Sequence, residues 1–299
     1  MAKTVGVVMT EWVVAGLIDG HKLAGELRHF PEKRDEETEN NGALIEMPAD
    51  ALWEMICDHI AALAPAGSGV EAVGLAMPGM IRNGVVEDSP NLPQLKGAKV
   101  VEAIRSGLAA RKLDYPISAL NDADAVAAGL AATRGQLDRL VRVWTIGNGI
   151  GFGRFPNTEE PWEGGHTVVT LDPKENYCAC GGKGHLEGIM GHRAMRLRFL
   201  DLEPHEIFEH ARKGDRRCVE FVELWHRALA AATASQIHLE GPGKFYFTGR
   251  DIDRLDLAAL KDFLYKMVKM SPLQSYSLEV LQEDSAIAVI GAGAAALSR

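Results

Sequence analysis

Apolar runs at residues 5–9 and 12–18, and a mixed stretch at 22–30, predict short strands at the start of the chain. Asp19-Gly20, between the last two, is a strong hairpin signal. Polar residues 31–42 predict a loop. Pro48-Ala49-Asp50 then opens a helix with Leu52, Met55, Ile56, Ile60 and Leu63 at helical spacing. A strand over 70–77 stops at Pro78-Gly79, and a long loop containing Pro90, Asn91 and Pro93 follows. A helix over 100–110, a strand over 116–120, an Ala-rich helix over 123–133 and a strand over 141–146 come next. A Gly-rich turn leads to a second strand ending at Phe155, and 166–171 reads as another strand. Residues 184–238 are mostly helical, 245–248 and 277–281 read as strands, and 256–267 and 284–297 as helices. Strands leading and helices following, twice over, predict an α/β fold in two related halves.

Composition narrows the classes. The 299 residues are 46% hydrophobic and 24% charged, ordinary globular usage with enough chain for a sizeable core. A net charge of −9 argues against wholesale nucleic-acid binding. No apolar run is long enough to span a bilayer, and no membrane partner is expected. Thr10-Glu11 splits the apolar N-terminal run and no small-residue cleavage site follows, so a signal peptide is not expected. The four cysteines, Cys57, Cys178, Cys180 and Cys218, suit a reducing, cytoplasmic setting with a metal site.

Three segments carry candidate chemistry, each with a plainer alternative. Gly147, Asn148, Gly149 and Gly151, with Gly153 beyond, let backbone N–H groups approach a phosphate, or simply build a hairpin. Asn121-Asp122, at a strand end and helix start, is either a helix cap or a base aimed out of the sheet. His166, Cys178, Cys180 and His185 offer thiolate and imidazole ligands that zinc takes tetrahedrally. The alternative is two buried thiols and two unrelated histidines. Four such side chains within twenty positions favour zinc. The other histidines read as surface or packing residues.

Taken together these segments resemble the ROK family of repressors, open reading frames and kinases. The resemblance runs in order through Gly74 to Gly79, Ser89-Pro90-Asn91-Leu92-Pro93, Asn121-Asp122-Ala123-Asp124, Glu163-Gly164-Gly165-His166, Cys178 to Glu187, and the closing Ile290-Gly291-Ala292-Gly293-Ala294-Ala295-Ala296-Leu297. It implies an actin-like ATPase (ribonuclease H-like) fold, two lobes with an interlobe cleft for sugar and ATP. The lobes would be 1–120, joined by the C-terminal helix 284–299, and 121–283 with the zinc loop 166–187. It further implies a sugar kinase that transfers the ATP γ-phosphate to a hexose or N-acylamino-sugar hydroxyl. Asp122 would be the base, and Gly79, Asn91, Asn121, Glu163, His166 and Glu187 would hold sugar hydroxyls. A homodimer, structural Zn²⁺ and Mg-ATP belong to the same expectation.

Two departures stand out. His185 falls where the family has a third zinc cysteine, so the expected site is Cys2His2. The family's N-terminal Asp-x-Gly-Gly-Thr-Lys turn aligns with Val8, Met9, Thr10, Glu11, Trp12 and Val13, which lack both its carboxylate position and its glycines. Arg250 follows Gly249 where a second glycine is expected on the adenosine side. The alternative is therefore a catalytically silent sugar-binding homologue that has lost Mg-ATP. No helix-turn-helix segment precedes the first strand, so a repressor is not expected.

Overall fold

The computed structural model describes residues 2–10, 12–31, 42–158 and 162–297. Its early elements are β1 (Lys3–Met9), β2 (Val13–Asp19), β3 (Lys22–Leu23), β4 (Arg28–Phe30), α1 (Gly42–Ile45), α2 (Ala49–Leu63) and β5 (Val70–Met77). Then come β6 (Met80–Arg82), β7 (Val85–Asp88), α3 (Val100–Ala110), β8 (Ile117–Asn121) and α4 (Asp122–Thr133). After β9 (Val141–Ile146) and β10 (Ile150–Phe155) follow α5 (Glu187–Met190), α6 (His192–Arg198), α7 (Pro204–Arg212) and α8 (Arg216–Glu240). The chain closes with β11 (Lys244–Thr248), α9 (Leu257–Met267), β12 (Ser277–Val280) and α10 (Ser285–Leu297). The α/β class agrees with the sequence pattern.

Internal packing divides the chain into two units. The first comprises Met1–Val141, Gly153–Trp162 and Asp284–Arg299; the second comprises Arg142–Phe152 and Glu163–Glu283. The first unit is built on a sheet of order β3-β2-β1-β5-β8, with β4 also on β2. β1 runs antiparallel to β2 and parallel to β5, and β5 parallel to β8. Alternation along β1 sends Val5, Val7 and Met9 into a core with Leu52, Trp53, Ile56 and Ile60 of α2 and Ile104 and Leu108 of α3. Val8 joins a separate core with Ala125, Ala132, Val289 and Ala292, from α4 and α10.

That second face is packed backbone to backbone. A Cβ built on Gly74 of β5 would lie 1.8 Å from the Ala292 carbonyl oxygen, and one on Gly291 of α10 would lie 1.8 Å from that of Ala125. The Gly/Ala-rich sequence of α10 thus lets it sit directly on the sheet and on α4. This is why α4 belongs to the first unit, and why the boundary expected after residue 120 lies instead near 141.

The second unit carries a sheet of order β10-β9-β11-β12, with β11 parallel to both β9 and β12. Its core gathers Trp144, Phe245 and Phe247 from the sheet with Phe221, Trp225 and Leu229 from α8 and Leu260 and Leu264 from α9.

Several expected elements differ. The stretch 22–30 is two short strands rather than one, and β6 and β7 occupy part of the expected long loop. Most of the loop expected at 31–42 lies outside the described residues. Residues 166–171 form no strand; Gly164–His166 is a 3-10 turn, followed by one bridge between Val168 and His185. The glycines are the cause, because Cβ atoms on Gly164 and Gly165 would lie 2.3 Å from Phe152 Cβ and 2.0 Å from Ile150 O. Among the described residues no helix is long and apolar enough to cross a membrane.

Gly74→Ala tests the backbone packing. A methyl group meeting a helix carbonyl at that distance forces α10 away, and unfolding in urea should show a loss of about 2–3 kcal/mol or more.

Candidate active site

In the first unit the candidate residues collect at the C-terminal ends of the parallel strands β5 and β8. This is where ligands bind open α/β sheets. Asn121, the last residue of β8, caps α4: its Oδ1 accepts from the Ala123 amide at 2.8 Å. Its Nδ2 donates to the Gly79 carbonyl at 3.1 Å, tying the ends of the two strands together. Gly79 has φ +104°, and a Cβ there would lie 2.2 Å from Asp88 O, so only glycine makes this turn. Buried Ser89 donates through Oγ to Pro78 O at 3.0 Å and anchors the turn that carries exposed Asn91. The structure thus gathers Gly79, Asn121 and Asp122, with Asn91 on a loop fastened beside them.

Asp122 opens α4 and is half-buried. Desolvation pushes its carboxyl up to about 6, while amide hydrogen bonds from Ala123 and its own backbone pull the other way. A carboxyl titrating there is ionised at neutral pH yet basic enough to take a proton. Two positions on, Asp124 is also pushed up to about 6 by desolvation, against hydrogen bonds from the Arg154 amide and the Trp162 side chain. Sequence reasoning gave Asp124 no role.

In the second unit His166, Cys178, Cys180 and His185 bring their ligand atoms within 4.8 Å of one another. The Cys178 and Cys180 sulfurs are 3.3 Å apart, and Cys180 Sγ is 3.3 Å from His185 Nδ1. The His166 and His185 rings stack at 5.2 Å. Burial pushes the Cys178 thiol up to about 12, and burial together with His166 lowers the His185 pKa. Two thiols and two imidazoles at this spacing fit a tetrahedral zinc ion, whose edge between two sulfur ligands is about 3.8 Å for bonds of about 2.3 Å.

Glu187 links this cluster to the Gly-rich turn. One carboxylate oxygen accepts from the Ile150 amide at 3.0 Å, and the other is 3.9 Å from His166 Nε2. Glu163 precedes the 3-10 turn that carries His166, and the His166 amide donates to its carbonyl at 3.1 Å. Gly147, Asn148 and Gly149 form the turn proper, closed by Gly147 N–H to Gly149 O at 3.1 Å. Gly151 lies inside β10. Beneath the turn is a network that sequence reasoning missed. His192 hydrogen-bonds Asp251, whose other oxygen takes Arg254 Nη2 at 2.9 Å. The His192 amide donates to Asn148 O at 2.9 Å, and the Asp251 amide to Ile146 O at 3.1 Å. No periodicity links residues 59 positions apart, so nothing in the pattern announced this pair.

The first hairpin lacks the family turn's carboxylate position and its glycines. β1 and β2 pair down to Met9 and Val13, and the Thr10 amide closes the turn onto Trp12 O at 2.9 Å instead of pointing to an anion. Val8, at the expected carboxylate position, is a buried core residue. Glu11 lies outside the described residues. In the second unit, Arg250 lies over Gly147, with its Cγ 3.5 Å from where a Cβ on that glycine would sit.

The sequence pattern of the ROK family matches residues 20–299. The chain belongs to the ROK family. The match begins just after the β1–β2 hairpin, the part that departs from the family turn. A glucokinase of Pyrobaculum calidifontis is 31% identical over 185 residues, covering 57% of this chain and 60% of that enzyme. An N-acetylmannosamine kinase of Haemophilus influenzae is 31% identical over 205 residues, covering 65% of each. The matched stretches therefore span less than two thirds of these curated relatives. The crystal structure of a ROK hexokinase from Thermus thermophilus superposes with a TM-score of 0.78 at 22% identity, covering 99% of this chain and 98% of that one. The fold of this ROK protein is the actin-like ATPase fold of the ROK sugar kinases.

Asp122→Asn separates charge from shape. The folded carboxyl titrates near 6 and the unfolded one near 3.8, so the cost of ionising it in place is absent below pH 3.8, grows between the two values and is constant above 6. In urea unfolding the variant should gain up to about 3 kcal/mol over the parent at pH 8, about half that at pH 5, and nothing at pH 3.5.

Proposed function

We propose that this chain is a ROK-type sugar kinase acting on a hexose or N-acylamino sugar, with Asp122 as the base that takes the proton of the attacked hydroxyl. The observation that carries this reading is the place of Asp122, at the start of α4 directly after Asn121, which ends parallel strand β8 and ties it to Gly79. A sugar hydroxyl is a weak nucleophile. As its oxygen bonds phosphorus, its proton passes to the Asp122 carboxylate, and the bond from phosphorus to the leaving oxygen breaks. In this reading Gly79, Asn91, Asn121, Glu163, His166 and Glu187 hold the other hydroxyls. Amides and carboxylates suit that task because they bind hydroxyls directionally. The glucokinase and N-acetylmannosamine kinase relatives support the substrate class.

Zinc is part of the same reading, held by His166, Cys178, Cys180 and His185. Bound there, the ion would supply no reaction step; it would fasten the loop and fix the His166 ring beside Glu187. The reading also keeps the homodimer expected from the resemblance and the cytoplasmic setting expected from the cysteine pattern.

The donor side favours a second reading. The Thr10 amide is already hydrogen-bonded to Trp12 O, and Val8 is buried where the family turn has its carboxylate. A homologue that binds sugar and transfers nothing accounts for that turn while leaving the sugar contacts intact.

A thermal-shift screen of hexoses and N-acylamino sugars, followed by sugar-dependent ADP release from Mg-ATP, decides between the two. The kinase reading expects release, a drop of at least 1000-fold in Asp122→Asn, and sugar affinity unchanged in that variant. Sugar binding without release at millimolar ATP contradicts it and leaves the second reading. Metal analysis of chelator-free protein should find about one zinc per chain, lost in Cys178→Ala.

A further inference from the structure

Asp124 sits at the first turn of α4 but faces a different task from Asp122. Its carboxylate receives two segments separated along the chain. The Arg154 amide, at the end of β10, donates to Oδ1 at 2.9 Å. The Trp162 side chain also hydrogen-bonds to the carboxyl. The Arg154 guanidinium lies 4.9 Å from the centre of the Trp162 ring, so the two donors also brace each other. Next to Arg154, a Cβ on Gly153 would lie 1.8 Å from Ala123 O, so the strand end is pressed directly onto the first turn of α4. Asp124 therefore holds Arg154 and Trp162 on one carboxyl group. The residue after Trp162 is Glu163, which opens the 3-10 turn carrying His166.

We propose that Asp124 is a positioning residue for sugar binding: by holding Arg154 N–H and the Trp162 indole, it fixes the chain immediately before the Glu163–His166 turn. The inference rests on the reading of Glu163 and His166 as sugar contacts. A carboxylate suits the task because each donor finds an acceptor oxygen. Asparagine in its place keeps an oxygen for Arg154 but turns an N–H₂ group toward the indole N–H, a donor facing a donor. In this role the carboxylate acts through Arg154 and Trp162 rather than on the sugar itself.

Its test is a double-mutant cycle with Asp124→Asn and Trp162→Phe, read by calorimetric sugar affinity. Each single variant should weaken sugar binding about ten-fold, and the double variant no more than either single one, because both remove one interaction. Where the protein turns over, the effect should fall on KM, with kcat changed less than three-fold. The difference emission spectrum between the parent and Trp162→Phe isolates one of the five tryptophans. In the Asp124→Asn background that spectrum should shift to longer wavelength. Unchanged sugar affinity in both single variants, or effects that multiply in the double, overturns the proposal while leaving the sugar-binding reading intact. A parent protein that takes up no sugar overturns both.

Discussion

The first unit depends on a helix whose backbone, at several points, lies directly against the backbone of its neighbours. α10 lays its Ala292 carbonyl against Gly74 and its Gly291 against the Ala125 carbonyl, so sheet, α10 and α4 meet backbone to backbone. Such contacts have little slack, because no side chain can rotate to absorb a shift. They fix α4 in depth and in rotation about its axis. With α4 fixed, Asn121, Asp122 and Asp124 at its start have set positions. The chemistry proposed for the protein is thus a consequence of packing made by residues with no chemistry of their own.

Three polar side chains at the start of one helix then divide the work by environment. Asn121 satisfies the open amide of the helix and reaches across to Gly79. Asp124 spends its carboxylate on two N–H donors from elsewhere in the unit. Asp122 receives only amide hydrogen bonds from its own backbone and from Ala123, which do not offset its desolvation. Both carboxyls are left near 6, but Asp122 keeps its amide bonds within its own helix turn. A capping box or a surface ion pair would have lowered that carboxyl and made it useless as a base near neutral pH.

The sequence made some of this legible and hid the rest for physical reasons. Alternating and helical apolar spacing marked β1, β2, α2 and β8, because each buries one well-defined face. The cluster of His166, Cys178, Cys180 and His185 was legible because thiol and imidazole side chains at close spacing have few other uses. The strand expected after His166 was not there, since Gly164 and Gly165 press onto β10 and turn the chain. The pairing of His192 with Asp251 and the clasp at Asp124 join residues far apart in sequence, and neither apolar period nor local spacing encodes such meetings. The hairpin at Thr10 and Trp12 was read from the residues as unsuited to a triphosphate, and the amide of Thr10, turned inward, gives that reading its geometry. The family match starting at residue 20 is in keeping with it.

The carboxyl of Asp122 is the point on which the proposed chemistry turns. The direct test is its titration, followed by carbon NMR of the side-chain carboxyl with Asp122→Asn to assign the signal. The account predicts a midpoint near 6. A midpoint near 4, the ordinary value for a solvated aspartate, would contradict it and remove the proposed base.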